Sequence, residues 1–171
     1  MNEDNAPNCD YILRIISLMN KFFLGKEGVS PIFFCKKDDT VMPMKVPSNL
    51  LDNEETKDEL VLLIKTAVET FKPESFCLIT EAWLYKVKDC VDAEEANNII
   101  ADYKNGIENP KLVKEECVVF NYTEVNSDNS RSRWLGSMPI HRGLDEKISK
   151  FGSVKWIKEE DSKSISGTFV I

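Results

Sequence analysis

Apolar residues recur at steps of three and four in several segments of the chain, a spacing typical of amphipathic helices. Gly25 follows the first segment as a stop, and Asp92 with Glu95 gives the third the spacing of a capping box. We therefore predict helices over Asp10–Phe23, a segment capped by Asn53 or Thr56 and ended by Pro73, residues 92–103 and, as a shorter helix, residues 144–151.

Strand patterns occupy most of the remaining chain. Residues 31–36 and 41–46 flank the polar tetrad 37–40, which predicts a β-hairpin. Pro43 has no amide donor, so we expect its strand to lie at an edge of the sheet. Further strands are predicted over residues 76–87, 116–125, Arg131–Arg142, 153–158 and 165–171.

Strands joined by short turns outnumber the helices, and the βαβ alternation of a doubly wound parallel sheet is missing. The pattern predicts an α+β fold in a single domain over residues 1–171, with residues 1–9 poorly ordered. We expect a mainly antiparallel sheet of about five to seven strands, with two to three helices packed on one face.

A hairpin and a helix precede a strand that ends in Glu81, Ala82 and Trp83. This arrangement resembles a pattern of small uncharacterised bacterial and phage proteins, and the resemblance covers about half of the chain. It supports the fold and implies neither an activity nor a catalytic residue.

The composition is that of an ordinary globular protein, with 42% hydrophobic and 30% charged residues. The formal net charge of −7 makes nucleic acid an unlikely partner, because binding it requires many Lys and Arg. No apolar run approaches the ~18 residues of a membrane span, and the start of the chain is acidic. Five cysteines without a close pair favour reduced thiols, so we expect a cytoplasmic protein without a membrane partner.

Glu81 is the candidate with the clearest chemical rationale. Strand alternation places it on one face with Cys77, Ile79, Trp83 and Tyr85. Apolar and aromatic neighbours disfavour the charged carboxylate, which is how a general acid or base is tuned. The alternative is a glutamate that faces solvent or pairs with a neighbouring Arg or Lys.

A second candidate is an anion-binding surface formed by Arg131, Arg133 and His141, which share the parity of one strand. The alternative is an ordinary solvent-facing side of a sheet. One histidine excludes a multi-histidine metal centre, and the acidity of residues 89–95 suits the start of a helix better than a metal site. We therefore expect no metal and no cofactor.

The leading functional hypothesis is a non-enzymatic module that binds a protein partner or a second copy of itself. Its surface would be an exposed sheet face, with Trp83 and Tyr85 as binding residues, or the edge that carries Pro43. The alternative is that the aromatic side chains of the predicted strands belong to the core: Trp83, Trp134, Trp156, Tyr85 and Tyr122. The alternative hypothesis is a small hydrolase or isomerase with Glu81 as general acid or base and with His141 and Arg133 binding an anionic substrate. A nucleic-acid contact through Arg131, Arg133 and Arg142 is the third hypothesis.

Overall fold

The computed structural model describes residues 6–7, 10–51, 53–88 and 92–159. In that part of the chain, seven strands form an antiparallel sheet that is curled into a half-barrel, and three α-helices accompany the sheet. This arrangement confirms the predicted α+β class. The helices are α1 (Asp10–Phe23), α2 (Glu54–Phe71) and α3 (Ala93–Lys104). The strands are β1 (Ile32–Lys37), β2 (Thr40–Lys45), β3 (Ser75–Val87), β4 (Leu112–Val125), β5 (Arg131–Arg142), β6 (Ile148–Phe151) and β7 (Lys155–Lys158).

The strand order is β2-β1-β3-β4-β5-β6, and β7 pairs with β5 beside β6. The strand that carries Pro43, β2, lies at an edge as predicted. At the other side of the sheet, β5 pairs with β7 over residues 134–137 and with β6 over residues 140–142. Pro139 lies between these two stretches, where the missing amide costs no ladder hydrogen bond.

The sheet is covered on both faces, whereas the sequence predicts helices on one. Helix α1 packs on the face that carries Cys77 and Ile79, and α2 packs on the face that carries Phe76 and Leu78. The reason is the composition of β3, in which residues 75–80 are all buried and successive side chains alternate between the faces. Each of two apolar faces must be buried against another element of secondary structure. We call these the α1 face and the α2 face.

Other sequence predictions meet mixed outcomes. The cap of α2 is Asn53, whose Oδ1 accepts the Thr56 N–H at 3.0 Å. Residues 144–151, predicted as a short helix, instead form a turn and β6, and β4 begins at Leu112 rather than at residue 116. The predicted strand over residues 165–171 lies outside the described residues, as do residues 1–9 apart from 6–7.

Three cysteines lie in the described part of the chain, and all three are buried: Cys35, Cys77 and Cys117. Burial raises the pKa of Cys35 and of Cys117 to about 11, so both are protonated at neutral pH. Cys9 and Cys90 lie outside the described residues. In the described segments, no helix has both the length and the apolar character that a membrane crossing requires.

Candidate functional site

Three charged residues from three neighbouring strands meet on the α1 face. Glu81 of β3 lies opposite Val118 of β4, and Val118 lies opposite Met138 of β5. Alternation along β4 places Glu116 on the same face, diagonally adjacent to Glu81. Arg142, at the end of β5, reaches both carboxylates. We call Glu81, Glu116 and Arg142 the carboxylate cluster.

The Arg142 guanidinium is saturated with protein acceptors. Its Nε donates to Glu116 Oε2 at 2.7 Å, and its Nη2 donates to Glu116 Oε1 and, at 3.4 Å, to Glu81 Oε1. Its Nη1 donates to the carbonyl oxygens of Glu27 at 2.6 Å and Glu146 at 2.7 Å. These contacts use all five N–H groups that an arginine offers. Arg142 therefore fastens two loops to the sheet while it pairs with Glu116.

Glu81 is held from the other side by the loop that leads into β1. Its Oε2 accepts the Val29 N–H at 2.8 Å. A Cβ at position 28 would lie 3.1 Å from the same oxygen, so glycine allows the backbone to approach this closely. Glu81 also lines an open groove of about 400 Å³. The other residues of the groove are Gly28, Val29, Ser30, Pro31, Ser48 and Leu51.

The two carboxyl groups have pKa values displaced in opposite directions. Burial is the largest cause that raises the pKa of Glu81, and the hydrogen bond and negative charge of Glu116 raise it further, against the Val29 N–H and Arg142. The hydrogen bond from Arg142 is the largest cause that lowers the pKa of Glu116. As the pH falls, Glu81 therefore takes the first proton while Glu116 stays ionised against Arg142.

We expect the substitution Glu81→Gln to change how stability depends on pH. The raised pKa means that the folded state binds this proton more tightly than the unfolded chain does. This stabilisation is complete below the pKa of the unfolded chain's carboxyl and is lost as pH rises through the folded pKa. Glutamine keeps an acceptor for the Val29 N–H and a donor for Glu116, but it does not titrate. The free energy of unfolding of the variant relative to that of the wild type should therefore increase with pH.

Urea unfolding at a series of pH values from about 4 to about 8 measures this difference. Glu74→Gln is the matched control, because the hydrogen bond from Lys36 lowers the pKa of Glu74. Glu74 contributes stability that is lost as pH falls. The wild type should therefore have a higher free energy of unfolding than Glu74→Gln at neutral pH, and the two values should become equal in acid. Parallel pH curves for wild type and Glu81→Gln would contradict the assignment of the proton to Glu81.

An aromatic surface adjoins the carboxylate cluster. Trp83 follows Glu81 on the same face of β3 and lies directly opposite Glu116, and 51% of it is exposed. The Lys114 Nζ lies 4.4 Å from the centroid of the Trp83 ring and 6.0 Å from that of Tyr85. Tyr85 packs on Tyr103 of α3 with ring centroids 5.4 Å apart. We call Trp83, Tyr85 and Lys114 the aromatic surface.

The other two tryptophans pack against the sheet. Trp134 contacts Tyr122 with ring centroids 5.6 Å apart, and Trp156 contacts Phe120 at 5.8 Å. Of the two interpretations of the tryptophans, packing therefore applies to Trp134 and Trp156, while Trp83 presents half of its surface to solvent.

The part of β3 that carries Glu81 and Trp83 pairs, among the described residues, with a strand on one side only. Strand β1 pairs with residues 75–79 of β3 and ends there, because Ile32 lies opposite Ile79. Within the described chain, residues 80–87 pair with β4 alone. We call residues 80–87 the free edge of β3. An edge of this kind presents unpaired backbone N–H and C=O groups.

The structure does not bring the predicted anion-binding residues to Glu81. Arg131, Arg133 and His141 follow the odd parity of β5, opposite to that of Met138, so they lie on the α2 face. Arg133 donates to Glu159 at 3.0 Å, and His141 is exposed. Arg142 faces the other way, so the three arginines do not form one basic surface.

Sequence reasoning missed Glu116 and the pairing of Arg142. Glu116 lies on the face of Val118 by strand alternation, but the register that sets it beside Glu81 depends on the pairing of β3 with β4, which are separate segments of the chain. Among the described residues, no group of acidic, cysteine or histidine side chains has an arrangement that could hold a metal ion. Asp92 instead caps α3, with its Oδ1 accepting the Glu95 N–H at 2.8 Å.

Comparison with known proteins finds no matching family model, no matching curated protein and no matching solved structure.

Proposed function

We propose that this protein is a binding module that takes an extended segment of a partner protein along the free edge of β3. The observation that carries the proposal is the coincidence of this edge with a half-exposed tryptophan at Trp83. Strand addition supplies main-chain hydrogen bonds, and neighbouring side chains supply specificity. Tryptophan and tyrosine are enriched among the residues that dominate binding energy at interfaces.

The state of the charged residues also favours binding over catalysis. Every N–H of Arg142 already has a protein acceptor, so none is left to orient a substrate. Arg133 and His141, the two residues of the catalytic alternative besides Glu81, follow the strand parity of the α2 face. The geometry therefore gives the hydrolase or isomerase hypothesis no support beyond the displaced pKa of Glu81.

A selection of random linear peptides displayed on phage, carried out on the immobilised protein, tests the proposal. We expect enriched peptides to bind the wild type and to bind Trp83→Ala at least about tenfold more weakly, as for an interface hot spot. Ile157→Ala is the control, because Ile157 is also exposed (38%) but lies on β7. It should change the dissociation constant by less than about twofold.

Nuclear magnetic resonance supplies a second readout that does not depend on affinity. The three tryptophans give three indole N–H signals, and Trp83→Phe assigns one of them. Peptide binding should shift the Trp83 signal and leave those of Trp134 and Trp156 in place. Selected peptides that bind Trp83→Ala as tightly as wild type would contradict the proposal, and so would a selection that enriches no binder.

A further inference from the structure

The carboxylate cluster holds more negative than positive charge. It contains two carboxyl groups, and Arg142 is the cation that contacts them among the described residues. Arg142 makes two contacts to Glu116, whereas its single contact to Glu81 is 3.4 Å long. A hydrogen bond of that length is weak. Glu81 is therefore the carboxylate without a full counter-charge.

Glu81 is also the member of the cluster that an incoming chain would meet. It lines the groove formed with the loop of residues 28–31. This loop leads into β1 at Ile32, opposite Ile79, so it runs beside β3 where the free edge begins. A strand added to the free edge would lie end to end with this loop. One of its side chains would then enter the groove beside Glu81.

The ring of Trp83 already has a cation of the chain itself beside it, so the attraction for a basic ligand comes from the carboxylates and the net charge. Lys114 Nζ lies 4.4 Å from the Trp83 centroid, within the range of a cation–π interaction. The whole chain carries a formal net charge of −7, which favours encounter with a basic segment. The negative charge of the cluster and that of the whole chain are thus both complementary to a basic ligand.

We infer that the partner segment presents a lysine or arginine side chain to Glu81 when it joins the free edge of β3. This inference rests on the proposed function and specifies the chemistry of the partner. The incoming cation forms an ion pair with ionised Glu81, and the proton that Glu81 holds at lower pH passes to solvent. The charged groups that face Glu81 are Glu116 from β4 and Arg142 from β5, and the loop contributes the Val29 N–H.

The test uses the peptides selected on the wild-type protein. We expect them to share a lysine or arginine, and replacing it with Nε-acetyl-lysine or citrulline should weaken binding to the wild type at least about tenfold. For Glu81→Gln the same replacement should change affinity by less than about threefold. Glu115→Gln is the matched control, because it removes an equal charge from the opposite face of β4 and should behave like the wild type. Wild-type affinity should also rise with pH, and Glu81→Gln should lack this rise.

The outcomes separate this inference from the proposed function. Peptides that need Trp83 but bind equally well after acetylation would overturn the inference and leave the proposed function standing. Equal sensitivity to acetylation in wild type and Glu81→Gln would also overturn it. Peptides that bind without needing Trp83 would overturn both the inference and the proposed function. A concentration-dependent dimer that Trp83→Ala abolishes would identify a second copy as the occupant and would overturn the basic partner.

Discussion

Replacing Arg142 by glutamine should lower the free energy of unfolding by about 3 kcal/mol. The substitution leaves Glu116 and Glu81 adjacent without the guanidinium, and it frees the carbonyl oxygens of Glu27 and Glu146. The side chain of Glu116 is 12% exposed and that of Arg142 26%, so solvent screens the loss only in part. Urea unfolding at neutral pH, followed by circular dichroism, measures the change.

Lys147→Gln is the control for this experiment, because the Lys147–Asp145 pair is exposed and its atoms are 3.8 Å apart. An ion pair of this kind should contribute less than about 0.5 kcal/mol. The effect of Arg142→Gln should also shrink in acid, where both carboxyl groups are protonated in either protein. A loss below about 1 kcal/mol at neutral pH would show that the cluster adds little to stability.

Replacing Gly136 by alanine should cost about 2 kcal/mol, a value typical of overpacking in a core. Gly136 of β5 lies opposite Trp156 of β7, and the indole ring lies over the bare glycine. A Cβ at position 136 would lie 2.6, 2.8 and 2.9 Å from three carbons of that ring. The ring would have to leave its contact with Phe120, so β7 should lose its packing as well. Urea unfolding followed by tryptophan fluorescence measures both effects.

A double-mutant cycle tests whether the collision with Trp156 causes the loss. In a Trp156→Leu background, Gly136→Ala should cost less than about 0.5 kcal/mol, because the shorter side chain leaves room for the methyl group. Ser137→Ala adds no volume at the next position of β5 and should be close to neutral. Additive costs in the cycle would show that a different contact limits the space at Gly136.

Local patterns in the sequence predicted most of the elements. The predicted bounds of α1 and of β5 agree with the structure, as does the hairpin with Pro43 at its edge. These elements have strict periodicity and clear stop residues, so the information that determines them lies within each segment. The alternation along β3 also placed Glu81 correctly on one face with Cys77 and Ile79.

The differences arise where distant segments decide the structure. Residues 144–151 could form a helix by local pattern, but Glu146 has a φ of 60° and Phe151 pairs with Ile140, so a turn and a strand form instead. Residues 114–116 of β4 are all charged, and pairing with residues 83–85 of β3 holds them in a strand. Helices cover both faces of the sheet because β3 has apolar side chains on each face, and both sets are buried.

The candidate site follows the same division. A carboxylate among apolar residues identified Glu81, but its partners Glu116 and Arg142 depend on the registers of β3 with β4 and of β4 with β5. The pattern within β5 already showed that His141 and Arg133 share one face of the strand. Whether that face is the one that carries Glu81 depends on how the strands pair in the sheet. The sequence pattern therefore identified Glu81 but neither Glu116 nor the pairing of both carboxylates with Arg142.

The margins of the sheet differ in how well they resist unwanted aggregation. Strand β2 carries Pro43, which cannot donate to a neighbouring chain, and β6 and β7 divide the opposite margin into two four-residue strands. Neither obstacle occurs in residues 80–87 of β3, which contain no proline and run without a break. Among the described residues, this stretch is therefore the longest uninterrupted template for a chain in an extended conformation, and the charged side chains of Glu81 and Lys86 are of the kind that discourages pairing between identical edges.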